Sequence, residues 1–370
     1  MRIRGILFKN KIRIYKMTQL AQLETQDPKV DVLLDFAVIG AGVAGLTAAN
    51  KISGEGHNVA VFEKARGTGG RLSSKRVTGN NGEFMAFDLG CVSLTGESEA
   101  FSHQLEDWHL KGVVEPWCLD YQNLTHYVAV PRNSALTRHL SKDLECHFST
   151  QVSSIRRVNN IWHLYILENE NEKLLAMAKN VIIAAPPVQA FDLLPSDSYL
   201  RNELVKVKMG AQWVMGLEID NTLPSSHPIQ YPQSDIIYSI SQESRKPGRR
   251  DGDSHNENDL GPIILQIQAS SDWTLNHLDL TKEQVVAALS AELEHCIQQP
   301  LKVINAYAHR WLYSCVSQCI NTREGYLWDE EGLGLIGDYL NNDSYGVESA
   351  WLSGKQLADW LTLTDFAGHS

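Results

Sequence analysis

The chain has 370 residues, 43% of them hydrophobic and 21% charged, a globular balance with enough material for a large core and, on length, two domains. A formal net charge of −11 argues against nucleic acid as a main partner, because phosphate binding needs a basic surface. The six cysteines show no CxxC and no regular spacing; that pattern points to reduced thiols in a cytoplasmic protein rather than to a disulfide framework or a metal site.

No run reaches the roughly eighteen apolar residues of a membrane span. The first sixteen residues carry six Lys or Arg and no acid. They lack an apolar centre and a cleavage site, so residues 1–32 are expected to be a disordered tail, or in part sequence upstream of a start at Met17.

The densest pattern follows at residues 35–71. Phe36-Ala37-Val38-Ile39 reads as a buried strand and runs into Gly40-Ala41-Gly42-Val43-Ala44-Gly45, a full GxGxxG. Leu46, Ala49 and Ile52 continue as a helix, Gly54 and Gly56 stop it, and residues 58–62 read as the next strand, ending at Glu63. Gly40 permits the tight turn, Gly42 the approach of a pyrophosphate and Gly45 close helix–strand packing, with the helix N-terminus facing the phosphates. Glu63, 23 residues after Gly40, is placed to accept hydrogen bonds from a ribose diol. A second glycine turn, Gly67-Thr68-Gly69-Gly70-Arg71-Leu72, suits further contacts to a long diphosphate.

Residues 96–126, with Trp108, Trp117 and Tyr121, read as a first excursion from this domain. Pro131-Arg132-Asn133-Ser134 begins a helix over 135–140. Strands are expected at 151–155 and 162–166, joined by a turn at Asn159-Asn160, and at 180–185, where Pro186-Pro187 breaks the strand. Further strands are expected at 213–219, 263–268 and 306–311, and a helix over 281–296 capped by Thr281. Residues 243–259 read as a long polar surface loop. Its Arg245, Lys246, Arg249 and Arg250 read either as contacts for an anionic substrate or as a solvated charge cluster. Leu333-Gly334-Leu335-Ile336 reads as a short strand running into Gly337-Asp338, with a helix from about Val347. That arrangement suits the far end of a flavin: Asp338 for the ribityl hydroxyls, the helix dipole for charge on the reduced ring.

These motifs resemble the FAD-dependent amine oxidase superfamily, and its renalase-like branch in particular. The likeness covers about residues 33–362. It includes Phe62-Glu63-Lys64 with Gly69-Gly70-Arg71, Phe87-Asp88-Leu89-Gly90, Tyr127-Val128-Ala129-Val130-Pro131, Ser271-Asp272-Trp273 and Ala350-Trp351-Leu352-Ser353-Gly354. The branch is marked by Lys246-Pro247-Gly248-Arg249 and His309-Arg310-Trp311. The resemblance implies a Rossmann-type α/β FAD-binding domain of the glutathione-reductase/amine-oxidase type (33–94, 131–187 and 320–370) with an inserted α+β substrate domain (95–130 and 188–319). It adds Lys64, Gly90, Val152 at the adenine end and Val347 to the cofactor ligands Gly40 to Gly45, Glu63, Gly70, Arg71, Leu72, Gly337 and Asp338. FAD is expected to be non-covalent, since no Cys stands just ahead of Gly337.

The branch implies oxidation of isomeric dihydronicotinamides, with dioxygen as acceptor and hydrogen peroxide as product. Such a donor carries its own hydride, so no general base is required and no catalytic side chain is named. Arg249, Trp273 and Arg310 are expected in or near the substrate pocket, each also readable as a packing or salt-bridge residue. Relatives place a Gln and an aromatic beside the flavin ring; here the run is Cys91-Val92-Ser93-Leu94-Thr95, with Cys91 read as a small buried thiol. The alternatives are amine oxidation, a non-catalytic flavin protein and an NAD(P)-only dehydrogenase. Against the first, Gly346 stands where monoamine oxidases place an aromatic, and only the neighbouring Tyr345 is aromatic.

Overall fold

The computed structural model describes residues 32–78, 84–220, 223, 227–249, 262–340 and 346–367. The N-terminal tail with Met17, Arg250 with the rest of its loop to 259, and Tyr345 lie outside the described residues.

The chain enters through β1 (Leu33–Ile39), α1 (Val43–Gly54) and β2 (Val59–Phe62). Phe36 and Val38 face one core and Ala37 and Ile39 another, as the two-residue period of a strand buried on both faces requires. β3 (Ser74–Thr78) and β4 (Phe84–Asp88) form an antiparallel pair. Next comes α2 (Glu99–Leu110), capped by Ser98 Oγ, which accepts from the Phe101 amide at 3.2 Å. Phe101, Leu105 and Trp108, at helical spacing, pack in the same core as α1. A hairpin of β5 (Val114–Leu119) and β6 (Thr125–Ala129) leads to α3 (Ser134–Leu140) and β7 (Glu145–His147).

β8 (Ser154–Val158) and β9 (Ile161–Glu168) flank the expected turn, but β8 starts three residues later than the pattern 151–155 proposes. Asn159 and Asn160 take φ of 50° and 65°, a two-residue turn that pairs Val158 directly with Ile161 and so fixes the register on the residues just before it. β10 (Asn171–Ile183) follows, and Pro187, after the break, opens α4 (Pro187–Leu193), then α5 (Leu200–Leu204).

The chain continues with strands β11 (Lys208–Ile219), β12 (Ile229–Gln230), β13 (Ile237–Gln242) and β14 (Ile263–Ala269). After α6 (Ser271–Asn276) and α7 (Lys282–Ile297) come β15 (Val303–Gln318), β16 (Leu327–Trp328), β17 (Leu333–Leu335) and α8 (Gly346–Ala367). α7 carries the expected Thr281 cap, completed by Gln284 as a capping box.

Two main sheets result. The first has the order β16-β17-β10-β1-β2-β7, with β8 and β9 continuing from β10; β17, β10, β1, β2 and β7 are parallel. The second, β12-β13-β14-β11-β15, is antiparallel and backed by α7 through Val285, Leu289 and Leu293. Among the described residues no helix is long and apolar enough to cross a membrane.

α8 crosses α1 at a distance set by Gly354, where a Cβ would lie 2.3 Å from the Ala44 carbonyl oxygen. Gly354→Ala should therefore destabilise the protein by about 1–3 kcal/mol. The check is a lower urea midpoint with unchanged m-value; an unmoved midpoint would show that the helices part without cost.

Candidate functional site

The parallel strands deliver their carboxyl ends to one edge. The Gly40 amide donates to the Phe62 carbonyl at 2.9 Å, Ala184 to Ile39 at 2.8 Å and Ile336 to Ile183 at 3.2 Å. The turns after β1, β2, β10 and β17 thus stand side by side, and the chain order reverses between β10 and β1, which is where doubly wound sheets bind ligands.

Gly40 has φ +112°, and a Cβ there would sit 2.8 Å from the Ala184 oxygen; one on Gly45 would sit 2.1 Å from the Gly40 oxygen. Gly42, the N-cap of α1, supplies no side-chain acceptor, and nothing lies within 4 Å of where its Cβ would be. The first amides of α1, around Val43 and Ala44, therefore begin beneath open space, in the positive end of the helix dipole. Glu63 reaches this turn: its Oε2 accepts from the Ala41 amide at 2.9 Å and its Oε1 from Ala65 at 2.8 Å. Lys64 instead donates to Gln189 Oε1 on α4 at 2.8 Å.

The second glycine turn is bonded to the first, Gly69 N to Ala41 O at 3.2 Å, with Gly70 at φ +51° and Leu72 buried beneath. Arg71 projects from it into a two-pronged ion pair with Asp338, at 2.5 and 2.6 Å, and also donates to the Ser314 carbonyl. Asp338 is held by α8: Ser353 Oγ accepts from Gly337 N and Ser349 Oγ donates to the Asp338 carbonyl. Val347 lies half-buried in the first turn of α8. Glu348 beside it is spent on the start of α2, accepting from the Glu97 and Ser98 amides at 2.8 Å each. Gly90 packs so tightly on Arg71 that a Cβ would lie 2.2 Å from its carbonyl oxygen. Val152 is buried in the core that covers Phe62.

This edge fits a dinucleotide: an acid at one end, open helix amides in the middle and a buried Asp at the other. One hydroxyl oxygen of the second glycine turn, Thr68 Oγ1, is buried with no hydrogen-bond partner in the protein, as expected where a polar ligand completes the site.

A second polar centre was not legible in the sequence. Asp88 Oδ1 accepts from Ser74 Oγ at 2.7 Å and Asn133 N at 3.0 Å; Oδ2 accepts from Lys246 Nζ at 3.1 Å and Arg249 Nη2 at 2.7 Å. Glu243 Oε2 accepts from the Asp88 amide at 2.9 Å, and its Oε1 pairs with Lys246. Burial pushes the Asp88 pKa up, but Lys246 and Arg249 outweigh it and hold the carboxyl below its ordinary range. For Glu243 burial prevails and its pKa is raised.

The surface-loop reading of 243–249 is thereby corrected. Glu243–Arg245 is a 3₁₀ turn, and the Lys246 and Arg249 side chains are 0% and 3% exposed. The cause is Asp88, too far away in sequence to be paired with them by pattern.

Of the three expected substrate residues, Arg249 stays with Asp88 and the Ala129 and Pro131 carbonyls. The other two have separate surroundings. Trp273 stacks on His277 at 4.5 Å, while Arg310 is exposed, donates to the Leu278 carbonyl and lies over the Trp213 ring. The Cys91 thiol is pushed up to about 11 by burial and donates to the Ser93 carbonyl, which makes it a poor nucleophile. A cavity of about 510 Å³ lined by Arg157, Trp328, Glu331 and Trp360 touches none of these groups.

The sequence pattern of the NAD(P)-binding Rossmann-like domain matches residues 38–107. The 4,4'-diapophytoene desaturases (4,4'-diaponeurosporene-forming) of Staphylococcus aureus strains Newman and USA300 are 44% identical over 57 residues, 15% of this chain. That match spans only 10% of the length of these curated relatives. A solved structure of a candidate protoporphyrinogen oxidase from Exiguobacterium sp. 255-15 superposes with a TM-score of 0.67 at 12% identity, covering 89% of this chain and 98% of that one. Putrescine oxidase bound to putrescine gives 0.56 at 11% identity, covering 90% and 99%. The chain is thus a mixed α/β protein with a Rossmann-like domain, and it shares the fold of these amine-oxidase-type structures over nearly nine-tenths of its length.

Because the Asp88 pKa is lowered on folding, its contribution to stability is present above the unfolded value of about 3.9 and is lost as pH falls through the lower folded value. Asp88→Asn should flatten that acid limb of a urea-stability curve, and an unchanged limb would remove Asp88 from the account. Lys246→Met, which removes the cation shared by two buried carboxyls and leaves Glu243 without its ion-pair partner while Asp88 keeps Arg249, should cost about 3–5 kcal/mol.

Proposed function

We propose that the protein is an FAD-dependent oxidoreductase of renalase-like type that oxidises isomeric dihydronicotinamides, with dioxygen as terminal acceptor. The observation that carries this reading is the alignment of Glu63, the open N-terminus of α1, the second glycine turn and Asp338 along one strand edge. Bound FAD would supply the acceptor for the donor's hydride and pass the electrons to dioxygen, giving hydrogen peroxide.

The chain's own contribution is binding and orientation. Glu63 would meet the ribose diol, and the amides of Gly42 to Gly45 with Arg71 the diphosphate. Asp338 would hold the ribityl chain and Val347, opening α8, would lie at the ring end, with Lys64, Gly90, Leu72 and Val152 as flanking contacts. Segments 33–94, 131–187 and 320–370 hold the strands of the first sheet and are read as the flavin domain; 188–319 holds the second sheet and is read, with 95–130, as the substrate domain. Arg310, exposed beside Trp213, is the better placed arginine for a phosphate-bearing donor, since Arg249 is already committed to Asp88.

Likeness of fold to putrescine oxidase keeps an amine donor as the second reading. The test is the visible spectrum of the protein with FAD, recorded anaerobically before and after adding isomeric dihydronicotinamides or amines. Rapid bleaching by the dihydronicotinamides is expected; bleaching only by amines would move the assignment, and no flavin uptake would overturn it. Glu63→Ala, which removes a charged hydrogen-bond acceptor, should weaken FAD binding by about 1.5–3 kcal/mol, roughly tenfold to a hundredfold.

A further inference from the structure

The second sheet turns a polar face towards the segment that follows β4. Along β14, Leu265, Ile267 and Ala269 pack into the apolar core on one side. Gln266 and Gln268 point the other way, as the two-residue period of a strand requires. Each glutamine faces a serine of β13 in register, Gln266 with Ser241 and Gln268 with Ser239. Both serine hydroxyls donate to the amide oxygens, at 3.3 and 3.0 Å.

That pairing fixes which way each amide points. With a hydroxyl donor on Oε1, Nε2 is turned away from β13 and towards the segment after β4. Gln266 Nε2 donates to the Asp88 carbonyl at 2.7 Å and to Gly90 at 3.0 Å, and Gln268 Nε2 donates to Gly90 at 2.9 Å. The Gly90 carbonyl thus takes two donors, one for each lone pair. Ser239, Ser241 and Gln266 are buried, so protein partners rather than water set the orientation.

The ladder bears on Arg71. Gly90 sits against the Arg71 carbonyl, and the next amide, Cys91, donates to that carbonyl at 3.0 Å. At the other end of the residue, the guanidinium donates to the Ser314 carbonyl on β15 at 3.2 Å, beside its ion pair with Asp338. Ser314 Oγ in turn donates to Gln212 Oε1 on β11 at 3.1 Å. One sheet therefore holds Arg71 at both its backbone and its side chain, although the arginine stands in a turn at the edge of the other sheet.

We propose that Gln268 and Ser239 are positioning residues for Arg71. Ser239 orients the Gln268 amide, Gln268 holds Gly90, and Gly90 with Cys91 holds the Arg71 backbone so that its guanidinium meets a diphosphate. The proposal rests on the FAD reading above. A guanidinium serves a diphosphate best in a defined geometry, because its fork of donors is planar and rigid. An arginine whose backbone can shift loses that match while keeping its charge.

The rung of Ser239 and Gln268 is the one to test, since Gln266 also serves the Asp88 carbonyl. Ser239→Ala frees the amide to turn and set Oε1 against the Gly90 oxygen; Gln268→Met deletes the contact outright. In the full chain, hydrogen exchange at the Cys91 amide should quicken roughly threefold to tenfold in either variant. Unchanged exchange overturns the arrangement. FAD affinity, from quenching of flavin fluorescence, should fall by a similar factor. Double-mutant cycles then separate positioning from general stability. In an Arg71→Gln background, which removes the fork but keeps a donor for Asp338, neither Ser239→Ala nor Gln268→Met should weaken FAD binding further. Additive losses overturn the positioning role, and Ser239→Ala, which deletes a single oxygen, carries the cycle alone if Gln268→Met does not fold. FAD uptake with an affinity indifferent to both residues overturns the proposal alone. No FAD uptake by the parent chain overturns the function on which it rests.

Discussion

The structure depends on one close contact, the first turn of α1 seated on the carboxyl end of β1. A Cβ at Gly45 would meet the Gly40 carbonyl at 2.1 Å, and one at Gly40 would meet Ala184 at 2.8 Å, so neither separation survives a side chain. Holding α1 this close brings the end of β10 alongside β1, places Glu63 within reach of Ala41 and lets Gly69 bond back to the same turn. Because β17, β10, β1, β2 and β7 run parallel, the polar groups gathered at their carboxyl ends come from turns remote in sequence.

The two ion-pair systems differ in what burial asks of them. Arg71 keeps a 32% exposed side chain while Asp338 is buried, so the pair retains some hydration and its geometry can respond to a ligand. The Asp88 centre has no such access. Removing its charges from water costs several kcal/mol per ion, recovered only when every lone pair and proton is matched. The Asp88 carboxylate is matched by four donors, while Arg249 Nε in the same centre is left without a partner. A centre of this kind gives little net stability but permits few alternative packings, and here it ties β4, the segment after β6 and the segment after β13 into one arrangement.

What was legible in the sequence was local. The strand, glycine turn, helix and acid of residues 35–63 carry their own periodicity and punctuation, and the Thr281 cap announces α7. Helix α2 had a readable signal in Ser98 with Phe101, Leu105 and Trp108, and reading the segment through Trp108, Trp117 and Tyr121 passes over that helical stripe. The strand at 154–158 was displaced because register belongs to the turn, not to the apolar pattern before it. Asp88 with Lys246 was out of reach for another reason. Their separation, 158 residues, has no periodic signature, and a lysine among Pro, Gly and Arg reads as loop until its distant carboxylate is found.

The segment from Asp88 to Leu94 shows how these levels combine. Its first residue is fixed by the buried charges, and Gly90 receives the Gln266 and Gln268 amides at 3.0 and 2.9 Å. Cys91 is tied to Arg71, and its far end to Tyr127 by paired backbone bonds. A strand end held at so many points has little freedom to move when a ligand arrives, so the positions of Cys91 and Ser93 relative to Arg71 are set by folding rather than by binding. Such preorganisation disfavours a redox role for Cys91, whose thiol stays protonated.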